Sequence, residues 1–274
     1  MIPAAFDYVR VDSADAAVAQ LVSHGDDAKI LAGGHSLVPL LKLRLASPSV
    51  LIDVGRVKDL SYIKDSGDHI AIGAMTRHRD LETSAVLHTH NALLAHAASQ
   101  VGDPQVRHRG TIGGSIAHAD PASDLPAAVL ALGGSLVARG PQGDRVIAAS
   151  DFFQGFLTTA LAADELLTEI RVPKLTGAKW SFQKFNRRAQ DWAIVGVSAW
   201  THTGSSGVGL VNMGSTPIRA SAVESAVKGG ASAAEAATQA AVGTEPSADL
   251  NASVEYRKHL AQVLVRRALQ ECGA

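Results

Sequence analysis

The chain has 274 residues, 46% of them hydrophobic and 19% charged, with a formal net charge of −1. That is enough apolar material for a sizeable core in more than one domain, and the lack of a basic face argues against nucleic acid as a partner. No apolar run approaches the ~18 residues that cross a bilayer, and Met1–Asp7 lacks the basic-then-apolar pattern of a signal peptide; a soluble, cytoplasmic protein is expected.

Ser13 reads as a helix N-cap, with Ala17, Val18, Leu21 and Val22 at helical spacing and Gly25 as the stop. Lys29–Ala32 reads as a buried strand running into a Gly-Gly turn. Leu37–Leu45, apolar except at Lys42 and Arg44, is expected to be a short buried helix. Ser49–Val54 is a strand closed by Gly55. His69–Ile72 is a further strand, Thr76–Val86 a helix with Thr76 as its cap, and Asn91–Gln100 an alanine-rich helix stopped by Gly102-Asp-Pro104. Pro126–Leu132 is one or two helical turns. Ser135–Ala138 and Arg145–Ala148 flank a hairpin turn at Gly140–Gly143, and Leu166–Val172 is a strand stopped by Pro173. Trp180–Phe185, Ala193–Thr201 and Val208–Met213 are three strands, the last two joined through Gly204–Gly207. Helical pieces fill Ala220–Val242 with a break at Gly229-Gly230. Gly243–Pro246 is a linker, and Val254–Leu269 is an amphipathic helix.

Two stretches share one design. Leu31-Ala32-Gly33-Gly34-His35-Ser36 and Thr111-Ile112-Gly113-Gly114-Ser115 each place a Gly-Gly pair before a serine. Glycines at φ > 0 can turn successive N–H groups the same way and form a nest for an anion. Two such turns suggest two loops gripping one polyanion, with a dinucleotide pyrophosphate as the candidate. Neither is a G-x-G-x-x-G fingerprint, and no G-K-[S/T] phosphate loop occurs. Neither Ser36 nor Ser115 lies in a nucleophile elbow. His35 either caps its loop or hydrogen-bonds the ligand, and His118 has the same two readings. Asp124 either serves turn and N-cap chemistry or accepts from ligand hydroxyls. His88-x-His90 lacks acidic or thiol partners at metal-ligand spacing. The single cysteine, Cys272, leaves no internal disulfide and no cysteine-ligated iron–sulfur cluster within this chain.

Together, Ala32–Ser36, Thr111–Ser115 and Asp120-Pro-Ala-Ser-Asp124 resemble the FAD-binding medium subunit of the molybdenum hydroxylases, the family of xanthine dehydrogenase and aerobic carbon monoxide dehydrogenase. The resemblance runs over nearly the whole chain, through Leu41–Arg44, Leu51–Val54, Gly102–Arg107, Lys184 and the C-terminal helix. It implies an α+β, vanillyl-alcohol-oxidase-like fold: an FAD-binding lobe at 1–55, a second at 56–175, and a C-terminal domain of a small antiparallel sheet with helices at 176–274. It implies FAD held by Ala32, Gly33, Gly34, His35, Ser36, Thr111, Ile112, Gly113, Gly114 and Ser115. Asp124 would lie near the flavin, Lys184 beside it, and Trp192 against the ring. No catalytic residue and no metal ligand of its own is implied. The partners would be a large molybdenum-cofactor subunit and a small [2Fe–2S] subunit, in a dimer of heterotrimers that passes electrons to an external acceptor. A stand-alone flavin oxidoreductase and a non-catalytic nucleotide-binding assembly protein are the alternatives.

Overall fold

The computed structural model describes residues 2–274. The chain opens with β1 (Asp7–Arg10), α1 (Ala14–His24), β2 (Ala28–Leu31), α2 (Leu37–Leu43) and β3 (Val50–Asp53). The strands form a parallel sheet of order β1-β3-β2. Parallel neighbours need a crossover, and α1 is the first of them. Ser13 Oγ accepts from Ala16 N at 3.1 Å, and Gly25, at φ 54°, ends the helix. Ala17, Val18 and Leu21 then pack with Val50, Ile52 and Leu166.

The second sheet has order β4-β5-β10-β6-β7 and is antiparallel throughout. Its strands are β4 (Ile63–Asp65), β5 (His69–Gly73), β6 (Ser135–Gly140), β7 (Gly143–Ala148) and β10 (Leu166–Pro173). Between β5 and β6 run six helices: α3 (His78–Thr83), α4 (Ala85–His90), α5 (Ala92–Ser99), α6 (Pro104–Arg109), α7 (Ile112–His118) and α8 (Asp124–Ala131). After β7 come α9 (Ala149–Phe152) and a two-stranded ribbon of β8 (Phe153–Gly155) and β9 (Thr158–Thr159). The largest core joins Ile70, Ile72, Leu94, Ile116, Leu125 and Phe152.

The third sheet is β11 (Lys179–Phe185), β12 (Val195–His202), β13 (Ser205–Val211) and β14 (Ile218–Arg219), antiparallel in sequence order. Helices α10 (Ser221–Lys228), α11 (Ala233–Ala237) and α12 (Val254–Glu271) cover one face. The other face lies on α8, every residue of which is buried. Any Cβ at Gly207 or Gly209 would collide with the α8 carbonyls of Ala131 or Ala127. Trp200 Nε1 also donates to Ala131 O at 2.9 Å. These contacts lock the third lobe to the second.

Several local expectations change. Thr76 is not a cap; it is buried and donates from Oγ1 to Tyr62 O at 2.9 Å. The expected helix at Thr76–Val86 is two short helices, because Ser84 caps a new one through Leu87 N. Helix α2 is not buried: among its apolar residues only Leu41 is, while Leu43 and nearby Leu45 are exposed. The Gly243–Pro246 stretch is docked, with Glu245 N donating to Met213 O. Strands β1 and β4 and helices α6 and α7 escaped the sequence reading; α6 follows the Asp103 cap with Pro104 in its first turn.

Candidate cofactor site

A cleft of about 770 Å³ runs between the three lobes. Its wall includes Ala32, Gly33, Gly34, His35 and Ser36 from the first lobe, and Thr111, Gly113, Gly114, Ser115 and Asp124 from the second. Lys184 and Trp192 come from the third. Ile112 is the one proposed contact that lies elsewhere; it is fully buried in the core.

The first glycine loop has the properties of a nest. Among the described residues, the N–H groups of Gly33, Gly34, His35, Ser36 and Leu37 have no hydrogen-bond partner, while Gly34 O and Ser36 O accept from Val38 and Leu40. Gly34 sits at φ 81°, a conformation costly for other L-residues. Gly33 serves a different need. A Cβ there would strike Arg109 O and sit 2.9 Å from Gly110 Cα, so its bareness lets the first lobe close on the second.

The second Gly-Gly pair is not a nest. Both glycines lie inside α7, and neither has positive φ. The N–H groups there are already paired: Ile112 to Thr76 O, Gly113 to Ala74 O, Gly114 to Thr111 Oγ1 and Ser115 to Thr111 O. A Cβ on Gly113 would meet Ala74 Cβ at 2.5 Å, and one on Gly114 would meet Thr111 Oγ1 at 2.8 Å. These glycines seat α7 against β5 and leave room for its cap. What α7 presents to the cleft is the bare surface of Gly114 with the side chains of Ser115, Ala117 and His118.

Asp124 does not cap α8; Ser123 holds the N-cap position, without a side-chain bond. Asp124 Oδ2 instead accepts from Lys184 Nζ at 2.7 Å, and Nζ also reaches Gln100 O at 2.9 Å. Asp124 Oδ1 is buried with no partner among the described residues. Burial pushes the carboxyl up to about 6, against the pull of the Lys184 charge and its hydrogen bond. An unpaired buried oxygen at a cleft wall calls for a ligand donor. Trp192 is 55% exposed and lines the cleft, so it is not part of the core. The loop before it is held by Arg188 Nε on Asp191 Oδ2 at 3.0 Å, and Asp191 Oδ1 accepts from Trp192 N at 3.1 Å.

Of the histidines, His88 reaches Glu82 O and His90 reaches Thr176 Oγ1. No group of three or more metal-ligating side chains occurs among the described residues. His35 is exposed and His118 half-buried, both on the cleft. The sequence reading missed His78, a buried cleft residue at the start of α3. Its place just after the strand-ending Gly73 was the available signal, obscured by assigning 76–86 to one helix.

A cleft with free N–H groups at one wall and an unsatisfied buried carboxylate at another suits a long ligand with an anionic centre and a polar ring. Two family models match the chain: the FAD binding domain in molybdopterin dehydrogenase over residues 4–175, and the CO dehydrogenase flavoprotein C-terminal domain over residues 180–272. The carbon monoxide dehydrogenase medium chain of Hydrogenophaga pseudoflava is 40% identical over 284 aligned positions, covering 100% of this chain and 99% of that one. The 6-hydroxypseudooxynicotine dehydrogenase complex subunit alpha of Paenarthrobacter nicotinovorans is 39% identical, covering 98% and 95%. A solved carbon monoxide dehydrogenase from Hydrogenophaga pseudoflava, one lacking the Mo-pyranopterin moiety of its cofactor, superposes with a TM-score of 0.96 at 41% identity, covering 100% of this chain and 99% of that one. The α+β fold, the three-walled cleft and these matches over the full length agree, and the chain belongs to the FAD-binding medium subunits of the molybdenum hydroxylases.

Proposed function

We propose that this chain is the electron-transfer flavoprotein of a molybdenum-dependent dehydrogenase. It takes electrons from [2Fe–2S] clusters in a small partner and passes them to an external acceptor, while substrate is oxidised at a molybdenum cofactor in a large partner. The observation that carries this reading is a mismatch within the chain. Its cleft is large enough for a dinucleotide, yet its single cysteine, Cys272, is buried at the end of α12. A chain with one buried thiol supplies no ligand set for such clusters.

Bound FAD supplies the exchange of electrons. The protein's own groups hold it and set its surroundings. The free N–H groups of Gly33–Leu37 receive the pyrophosphate, with Ala32 and Ser36 framing the loop and His35 at its edge. Thr111, Gly113, Gly114 and Ser115 form the facing wall, seated by buried Ile112. Lys184, held by Asp124, places a cation on the inner wall. Trp192 covers the ring at the mouth and excludes water. The division at 1–55, 56–175 and 176–274 is supported by the three separate sheets. The assembly is a dimer of heterotrimers. Among the relatives, one is named for carbon monoxide and another for a hydroxylated nicotine derivative; the substrate here is of the same small, molybdenum-hydroxylated class.

The test is purification of the tagged chain from cells that express its natural partners. Mass spectrometry should identify a larger and a smaller co-purifying subunit, and metal analysis should return molybdenum and iron. Turnover of an organic substrate by the chain alone would overturn the reading.

A further inference from the structure

His78 is the least explained group in the cleft. It is 4% exposed and lines the cleft wall. Nδ1 is buried without a partner, and among the described residues nothing hydrogen-bonds Nε2. An Nδ1 buried without a partner incurs the full desolvation cost of that atom. Its position is nevertheless tightly specified. Its backbone N–H donates to Gly110 O at 3.0 Å, and its Cδ2–Nε2 edge lies 2.6–2.7 Å from where a Gly110 Cβ would be. Gly110 in turn abuts Gly33, at the root of the loop with free N–H groups. The chain thus spends two bare glycines, Gly33 and Gly110, to bring this ring edge to the junction of two cleft walls.

We propose that His78 is a further cofactor-binding residue, a neutral imidazole protonated at Nε2 that donates its hydrogen bond to FAD. The tautomer follows from the surroundings. Nδ1 is sealed off, so a proton there would be an unpaired buried donor, whereas Nε2 belongs to the edge beside Gly110. The ring is neutral because burial, then the charges of His35, Arg107 and Arg77, bring its pKa down to about 4. Arg77 also donates from Nη1 to Arg109 O, which fixes the strand of chain that carries Gly110. The proposal rests on FAD binding by this subunit and extends it to a residue outside both glycine motifs.

The experiment compares His78→Leu, His78→Gln and His78→Asn, measuring FAD affinity by flavin fluorescence in the assembled complex and thermal melting of the FAD-free full chain. The side-chain amide of Gln reaches the place of Nε2, and that of Asn the place of Nδ1. His78→Leu should weaken FAD binding at least tenfold while leaving the melting temperature of the FAD-free chain unchanged or raised, since it removes unsatisfied polar atoms. His78→Gln should recover most of the affinity and His78→Asn should not. A merely structural ring predicts the reverse: a lower melting temperature for His78→Leu with FAD affinity within twofold of wild type. That result would overturn the proposal, as would recovery by Asn in place of Gln. The Gln and Asn pair decides the matter even where the Leu variant fails to fold. Failure of every variant and of wild type to bind FAD would instead count against the family function, a separate outcome.

Discussion

Lys184 Nζ stands 2.7 Å from Asp124 Oδ2, with both side chains under a tenth exposed. The carboxylate sits at the first residue of α8 and the ammonium on β11, sixty residues apart in sequence. Breaking a buried pair leaves an uncompensated charge, so either partner alone is costly. Folded Asp124 titrates near 6, above its ordinary 3.8. Between pH 3.8 and about 6 the folded chain therefore holds a proton that the unfolded chain has released. Stability from this group is full below 3.8 and is lost as pH rises through about 6. Lys184→Met removes both influences that lower the pKa, so the window of loss should move above pH 6. Chemical unfolding of the FAD-free chain from pH 4 to 8 measures this; an unmoved window would show the pair to be uncoupled.

His78 works in the opposite sense. Its pKa falls from 6.5 to about 4, so its contribution is full above 6.5 and is lost as pH falls through 4. Such a shift is worth about 3 kcal/mol at most. His78→Gln should lose less stability than wild type on acidification from pH 6.5 to 4. Equal acid sensitivity in the same unfolding series would mean that the folded ring titrates normally.

The two loop glycines should fail for different reasons. Gly33→Ala drives a methyl into Arg109 O and separates the first lobe from the second. Gly34→Ala forces an L-residue to φ 81°, which costs about 1–2 kcal/mol, and brings Cβ 3.2 Å from Val38 Cγ2. Both should purify with reduced FAD content. Gly229→Ala is the control: φ there is −76° and the nearest atoms lie at 3.4 Å. Full flavin content in both loop variants would sink the assignment of this loop to the pyrophosphate.

Trp192 is 55% exposed, so Trp192→Ala should leave thermal stability unchanged. A stacked ring is worth roughly 0.5–1.5 kcal/mol beyond its area, so FAD affinity should fall about two- to tenfold. The flavin spectrum should shift, and reduced flavin should react faster with oxygen. Stopped-flow reoxidation of the anaerobically reduced complex measures it; an unchanged rate and spectrum would place the indole away from the ring.

What the sequence determined by itself was local. Ser13, Gly25 and Ser253 end their helices as their side chains and φ preferences dictate, through neighbours three or four residues away. The paired Gly-Gly motifs, read with Asp120–Asp124, were enough to point to the family. The tertiary structure decided what those glycines do. The first pair opens a run of free N–H groups, while the second is built into α7 and uses its lack of side chain to touch Ala74 and admit Thr111. Nothing near Gly113 in sequence distinguishes these roles, because the atoms it must avoid belong to Ala74, the residue after β5. The same holds for Asp124 with Lys184 and for His78 with Gly110. Caps and turns are set by the chain's nearest neighbours; close approach, burial and pairing of distant charges exist only once the three sheets have packed around α8.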